Sequence, residues 1–143
     1  AFGSEYIIRR MEKLQAIVSL RAAGYCQSIY DLWFNEPEGW LAQRVADHQA
    51  IRDDLLALLR SVPGVKARTT EGGSYLFTEL PELDVDILTF VKLCRQYAHV
   101  SVTPGTEFGP QFTHHFRINF SQDPVKAHDA IQRLLTLMER YRK

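Results

Sequence analysis

Net charge is the first thing this sequence lacks: seventeen Lys and Arg balance seventeen Asp and Glu, for a formal charge of zero. No global positive field is available to gather nucleic acid or hold an anionic membrane, and neither partner is expected. The local basic runs are short. Arg9, Arg10 and Lys13 sit with Glu5 and Glu12, while Arg140, Arg142 and Lys143 form a tail suited to a helix C-terminus. Long apolar runs are missing too: none approaches the ~18 residues of a membrane span, and the start lacks the basic and apolar regions of a signal peptide. Cysteine is sparse, with Cys26 and Cys94 isolated in apolar segments. That pattern suits reduced thiols in a cytoplasmic protein better than a disulfide framework, although a single bridge stays open. An initiating Met is also absent, and a chain beginning "AFGSEYII" is expected to be processed or cut from something larger.

Motifs for metal or nucleophilic chemistry are scarce. His48, His99, His114, His115 and His128 show no two-histidine helical spacing, and two distant cysteines supply no paired thiolates, so no metal site is expected. Ser74 beside "GG" and Thr103 beside "PG" are hydroxyls near turns, outside any nucleophile-elbow or phosphate-loop pattern. Asp84 and Asp86 could be a carboxylate pair, but their place at a helix start accounts for them as caps. Trp33, Phe34 and Trp40 crowd a helix junction and read first as packing, second as a partner surface.

What is present is enough for one domain. A chain of 143 residues with 45% hydrophobic content can bury a real core. Ser4 can cap a helix over 4–20, where Ile7, Ile8, Met11, Leu14, Ile17 and Val18 form an apolar stripe. After Gly24 a second helix is expected over 26–34. A third then follows to about Ser61, with Asn35 as its cap and Pro37 in its first turn, until "SVPG" stops it. From there the character changes. "VKARTT" and "SYLFTEL" read as strands joined through "EGG", Asp84 opens a helix near 85–98, and "HVSVTPG" is a short strand. "HHFRINFS" is a longer strand, and Asp123 with Pro124 starts a terminal helix. The predicted class is α+β with a three-layer tendency: a small mixed or antiparallel sheet covered by helices.

Within "HHFRINFS" the alternation puts Phe116, Ile118 and Phe120 on one face and His115, Arg117, Asn119 and Ser121 on the other. Arg117 is costly there if buried unpaired. A salt bridge or a solvated face explains it; so does a carboxylate receptor, because the guanidinium fork matches two carboxylate oxygens.

"GGSYLFTELP", "VSVTPGTEFG" and "HHFRINFS" together resemble three successive signatures of the C-terminal, small domain of fold-type I, pyridoxal-phosphate-dependent class I/II aminotransferases, the aspartate-aminotransferase-like family. The start, "AFGSEYIIRRMEKLQ", is similar to the passage that leads from the large domain in such enzymes, with Phe2 in place of a usual tyrosine. By that resemblance residues 1–143 are a single C-terminal domain, and 1–24 link it to a missing large domain. It implies that Arg117 binds the substrate α-carboxylate, that Gly72, Gly73 and Ser74 edge the site, and that Thr103, Pro104, Gly105, Phe108 and Gly109 form the supporting turn. It further implies an intact homodimer that uses pyridoxal phosphate to move an amino group between an amino acid and a 2-oxo acid. None of Lys13, Lys66, Lys92, Lys126 and Lys143 stands in the catalytic-lysine context, so the chain alone is expected to bind no cofactor and to be inactive. A non-catalytic interaction or regulatory module of the same fold, and a related pyridoxal-phosphate lyase or decarboxylase, stay open as alternatives.

Overall fold

The computed structural model describes residues 2–20 and 23–143. Ala1, Arg21 and Ala22, which belong to the expected 1–24 linking segment, lie outside the described residues. The chain falls into two compact units, Ala1–Leu41 and Ala42–Lys143.

In the first unit, helix α1 covers Glu5–Val18, and its N-cap Ser4 accepts a hydrogen bond from the Ile7 amide through its side chain. Helix α2 covers Gly24–Phe34, so Gly24 begins the helix that the sequence places from residue 26. Neither helix contains a buried residue. Trp33 and Phe34, read first as packing, are exposed. Asn35 closes α2 and does not cap the next helix: its amide donates to the Asp31 carbonyl, as does its side-chain amide at 2.7 Å. Pro37, Glu38 and Gly39 then form a turn, with Gly39 at φ +78, and helix α3 starts only at Trp40 and runs to Arg60. The left-handed angle at Gly39 is what postpones the start, because it cannot be part of a right-handed helix.

The second unit is built on a four-stranded antiparallel sheet: β1 Lys66–Ala67, β2 Tyr75–Glu79, β3 Thr103–Pro104 and β4 His115–Asn119, in the order β1-β2-β4-β3. β2 and β4 form its spine, with Leu76 opposite Ile118, Phe77 opposite Arg117 and Thr78 opposite Phe116. Leu76, Phe116, Ile118 and the following Phe120 enter one core with Leu55 and Leu59 of α3 and with residues from two further helices. These are α4, Ile87–Leu93, which supplies Phe90, and α5, Pro124–Met138, which supplies Ile131, Leu134 and Met138. The helices therefore gather on one sheet face. The other carries Tyr75, Phe77, His115, Arg117 and Asn119, none of them buried.

Local chemistry explains the boundaries. Asp86, not Asp84, caps α4: its carboxylate accepts from the Thr89 amide at 3.0 Å and from the Thr89 hydroxyl at 2.7 Å, and both bonds hold it below the ordinary carboxylate range. Asp123 caps α5 in the expected way, accepting from the Lys126 amide, with Pro124 at the first helical position. The helix expected near 85–98 is α-helical only to Leu93 and continues as a π-turn over Cys94–Ala98, ending at left-handed His99.

Cys26 and Cys94 are both free, the first exposed and the second buried. Burial pushes the Cys94 thiol up to about 12. Because the thiolate is the reactive form, alkylation of the folded chain is expected to modify Cys26 and spare Cys94. Peptide mass spectrometry after a brief exposure reads this out, and equal labelling of both would contradict the buried placement.

Candidate functional site

Arg117 sits at the centre of β4, half-buried on the sheet face away from the core. The strand alternation that buries Phe116 and Ile118 puts its side chain there, between Phe77 of β2 and Thr103 of β3 as cross-strand neighbours. Its guanidinium donates to the Thr103 hydroxyl over a long 3.5 Å. Its central carbon lies 4.4 Å from the centre of the Tyr75 ring and 4.9 Å from that of Phe108, each over the ring.

The acids are the telling part. Among the described residues three arginines are half-buried, Arg52, Arg117 and Arg142. Arg52 meets Asp53 at 2.8 Å and Arg142 meets Glu139 at 3.1 Å, whereas no described carboxylate pairs with Arg117. Of the explanations for a cation on this strand, an internal salt bridge is therefore not one that the described residues provide, which leaves a solvated face or an anion receptor. A guanidinium held partly out of water with donors left over has the chemistry to accept an anion.

The segment between β3 and β4 shapes the rim. After Pro104 a 3-10 turn covers Gly105–Phe108 and brings Phe108 over the guanidinium. Gly105 is buried, and a Cβ there would stand 2.6 Å from both the His115 Cβ and the Phe112 carbonyl oxygen. Gly109 has φ +153, which favours glycine, and the chain turns there toward Phe112. Phe77 is edge-on to Phe108 and to Phe112, with centres 5.6 and 5.0 Å apart, and it stacks on His115 at 5.0 Å. At the far edge of this face Lys66 donates to Glu79 at 2.8 Å, which holds the Glu79 carboxyl below its ordinary value.

Thr103 and Phe108 thus touch Arg117, and Pro104, Gly105 and Gly109 frame the loop that carries Phe108. Gly72, Gly73 and Ser74 do not touch it. They line a cleft of about 340 Å³ with Arg44, His48 and Arg52 of α3, and their link to Arg117 runs through the next residue, Tyr75. Tyr75 and Phe77 are the site residues that sequence reasoning passed over. Their alternation was visible, but only the β2–β4 register shows that they share Arg117's face. Among the described residues no three His, Cys, Asp or Glu converge as a metal site. No described helix is long and apolar enough to cross a membrane.

The sequence profile described as aminotransferase class I and II matches residues 1–134. The chain belongs to this family. An aspartate aminotransferase from Musicola paradisiaca is 29% identical, over 92% of this chain and 34% of that protein. The crystal structure of an aspartate aminotransferase from Rhodobacter sphaeroides superposes with a TM-score of 0.94 at 58% identity, covering 99% of this chain and 36% of that one. A Rhizobium meliloti aspartate aminotransferase structure, 23% identical over 97% of this chain and 37% of that chain, shares the fold with a TM-score of 0.81. The chain thus spans about a third of the curated relatives it matches. The helix-covered antiparallel sheet is the small-domain architecture of fold-type I aminotransferases, as the quoted signatures imply.

Proposed function

We propose that residues 1–143 are the C-terminal domain of a pyridoxal-phosphate-dependent aminotransferase, in which Arg117 receives the α-carboxylate of an amino acid and of the 2-oxo acid formed from it. The observation that carries this reading is the half-buried guanidinium flanked by rings and paired with no acid among the described residues. A two-pronged bond from its fork would fix both carboxylate oxygens and with them the direction in which the α-carbon faces. Flanking rings would keep water from competing for the same donors.

The residues of this chain fit one part of the cofactor chemistry and not the rest. Lys66 and Lys143 are engaged by Glu79 and Glu82 at 2.8 and 2.7 Å. The imine lysine and the phosphate contacts are assigned to the large domain of the intact protein. Bound there, pyridoxal phosphate would act as the electron sink for bond breaking at the α-carbon. The intact protein is read as a cytoplasmic homodimer, and aspartate, named for the relatives, is the first amino acid to test.

The test has two arms. The intact protein is expected to convert amino acid and 2-oxo acid pairs. The isolated chain mixed with pyridoxal phosphate is expected to give no borohydride-trapped adduct. A stoichiometric adduct on one lysine of this chain, or an intact protein that turns over no amino acid, would contradict the assignment.

The exposed stripe on α1 leads to a further expectation. Ile7, Met11, Leu14 and Ile17 are apolar and uncovered, which suits a surface that meets the large domain in the intact protein. In the isolated chain, amides of α1 are expected to exchange faster than those of β4, with self-association rising with concentration. Equal protection in a concentration-independent monomer would count against it.

A further inference from the structure

We infer that Tyr75 and Phe108 are positioning residues whose rings hold the Arg117 guanidinium ready for a carboxylate, making them determinants of selectivity for carboxylate-bearing substrates. This rests on the reading of Arg117 proposed above and adds to it the groups that orient the fork. Neither ring is Arg117's direct cross-strand partner; those are Phe77 and Thr103. Tyr75, two residues before Phe77 on β2, is Arg117's diagonal neighbour on the same face, and Phe108 comes from the loop after β3, so the register supplies one contact and the loop the other.

A guanidinium over a ring face is attracted by the ring's quadrupole, and a planar cation gains further by stacking. Here these contacts carry most of the restraint, because the described residues offer Arg117 no carboxylate and only the long Thr103 contact. Phe108 is itself braced: Phe77 meets it edge-on at 83°, and Phe112 meets Phe77 at 90°. The side chain that would bind substrate is thereby held at one end by the strand and at the other by two rings, one of them braced. Less of its freedom is left to lose on binding. A salt bridge would restrain it as well, but would occupy the donors that the carboxylate needs. Rings restrain it and leave those donors available.

The experiment uses the intact protein, an amino acid substrate and the matching amine that lacks the α-carboxylate. Tyr75→Leu and Phe108→Leu are each expected to lower kcat/KM toward the amino acid roughly three- to tenfold, chiefly through KM, with a much smaller change for the amine. Both side chains are about half exposed, at 43% and 45%, so folding should survive, and thermal melting checks this. Tyr75→Phe keeps the ring and should recover what Tyr75→Leu loses. In an Arg117→Lys background the leucine substitutions should cost far less. Equal losses on amino acid and amine, or no loss from either leucine variant, would overturn the inference. If Arg117→Lys alone is selective against the amino acid while the ring variants are not, the inference fails and the carboxylate reading stands. If Arg117→Lys is itself unselective, both fall.

Discussion

Replacing Arg117 with lysine in the intact protein is expected to lower kcat/KM toward an amino acid by about tenfold to a hundredfold, with folding and cofactor loading largely preserved. The estimate follows from the roughly 1.5–3 kcal/mol of a charge-assisted hydrogen bond, converted at about 1.4 kcal/mol per factor of ten. Lysine keeps the charge but offers a point donor in place of a planar fork, so the two-oxygen match is lost along with stacking on Tyr75 and Phe108. Folding should be little affected, because no described acid depends on Arg117 and the side chain lies outside the core. A structural ion-pair partner would behave in the opposite way, lowering the melting temperature and sparing the kinetics. Steady-state kinetics beside a melting curve distinguish the two.

The second large effect concerns the loop that carries Phe108. Gly105→Ala is expected to destabilise the protein by about 3 kcal/mol, the upper part of the range for overpacking a filled interior. The new Cβ would meet the Phe112 and His115 carbonyl oxygens at 2.6 and 2.7 Å, as well as the His115 Cβ at 2.6 Å. Backbone oxygens cannot swing aside as a side-chain tip can, so the turn itself must move. Since the 3-10 turn begins at Gly105 and ends at Phe108, the shift should also loosen the ring from Arg117 and raise KM for the amino acid. Gly72→Ala is the control, because nothing lies within 4 Å of a Cβ there. Denaturant unfolding of both variants checks the contrast, and a neutral Gly105→Ala would contradict the close packing of the turn.

How legible these features were in the sequence depended on how local their causes are. The terminal helix was readable because its cap, its proline and its apolar spacing all lie in one stretch, and Ala127, Ile131, Leu134, Leu135 and Met138 are buried as that spacing implies. β4 was readable for the same reason, since alternation alone separates Phe116 and Ile118 from Arg117. Asn35 was misassigned because an Asn followed by Pro and Glu suits a helix start, while the same side chain can equally close the helix before it. The left-handed Gly39 decides between them, and that angle is not written in the residue type. Asp84 and Asp86 were likewise indistinguishable until Thr89 showed which of them it bonds.

The surroundings of Arg117 were the least legible part. Tyr75 reaches it across a strand pair whose register, Tyr75 opposite Asn119, is fixed by burial of Leu76 against Ile118 and not by any local pattern. The motif signatures pointed to Arg117 and to the turn at Gly105 by resemblance, but the ring contacts and the missing acid needed the fold. The expectation that Gly72, Gly73 and Ser74 edge the site was also only a placement in sequence. In the fold they border a neighbouring cleft with α3, joined to the arginine by Tyr75.

The most direct test of the carboxylate role compares Arg117→Lys with the unmodified intact protein on two substrates, an amino acid and the amine identical to it except for the missing α-carboxylate. The ratio of the two kcat/KM values is expected to fall by about tenfold or more, because only the amino acid loses a partner when the fork is gone. A proportional loss on both substrates, leaving that ratio unchanged, would contradict it.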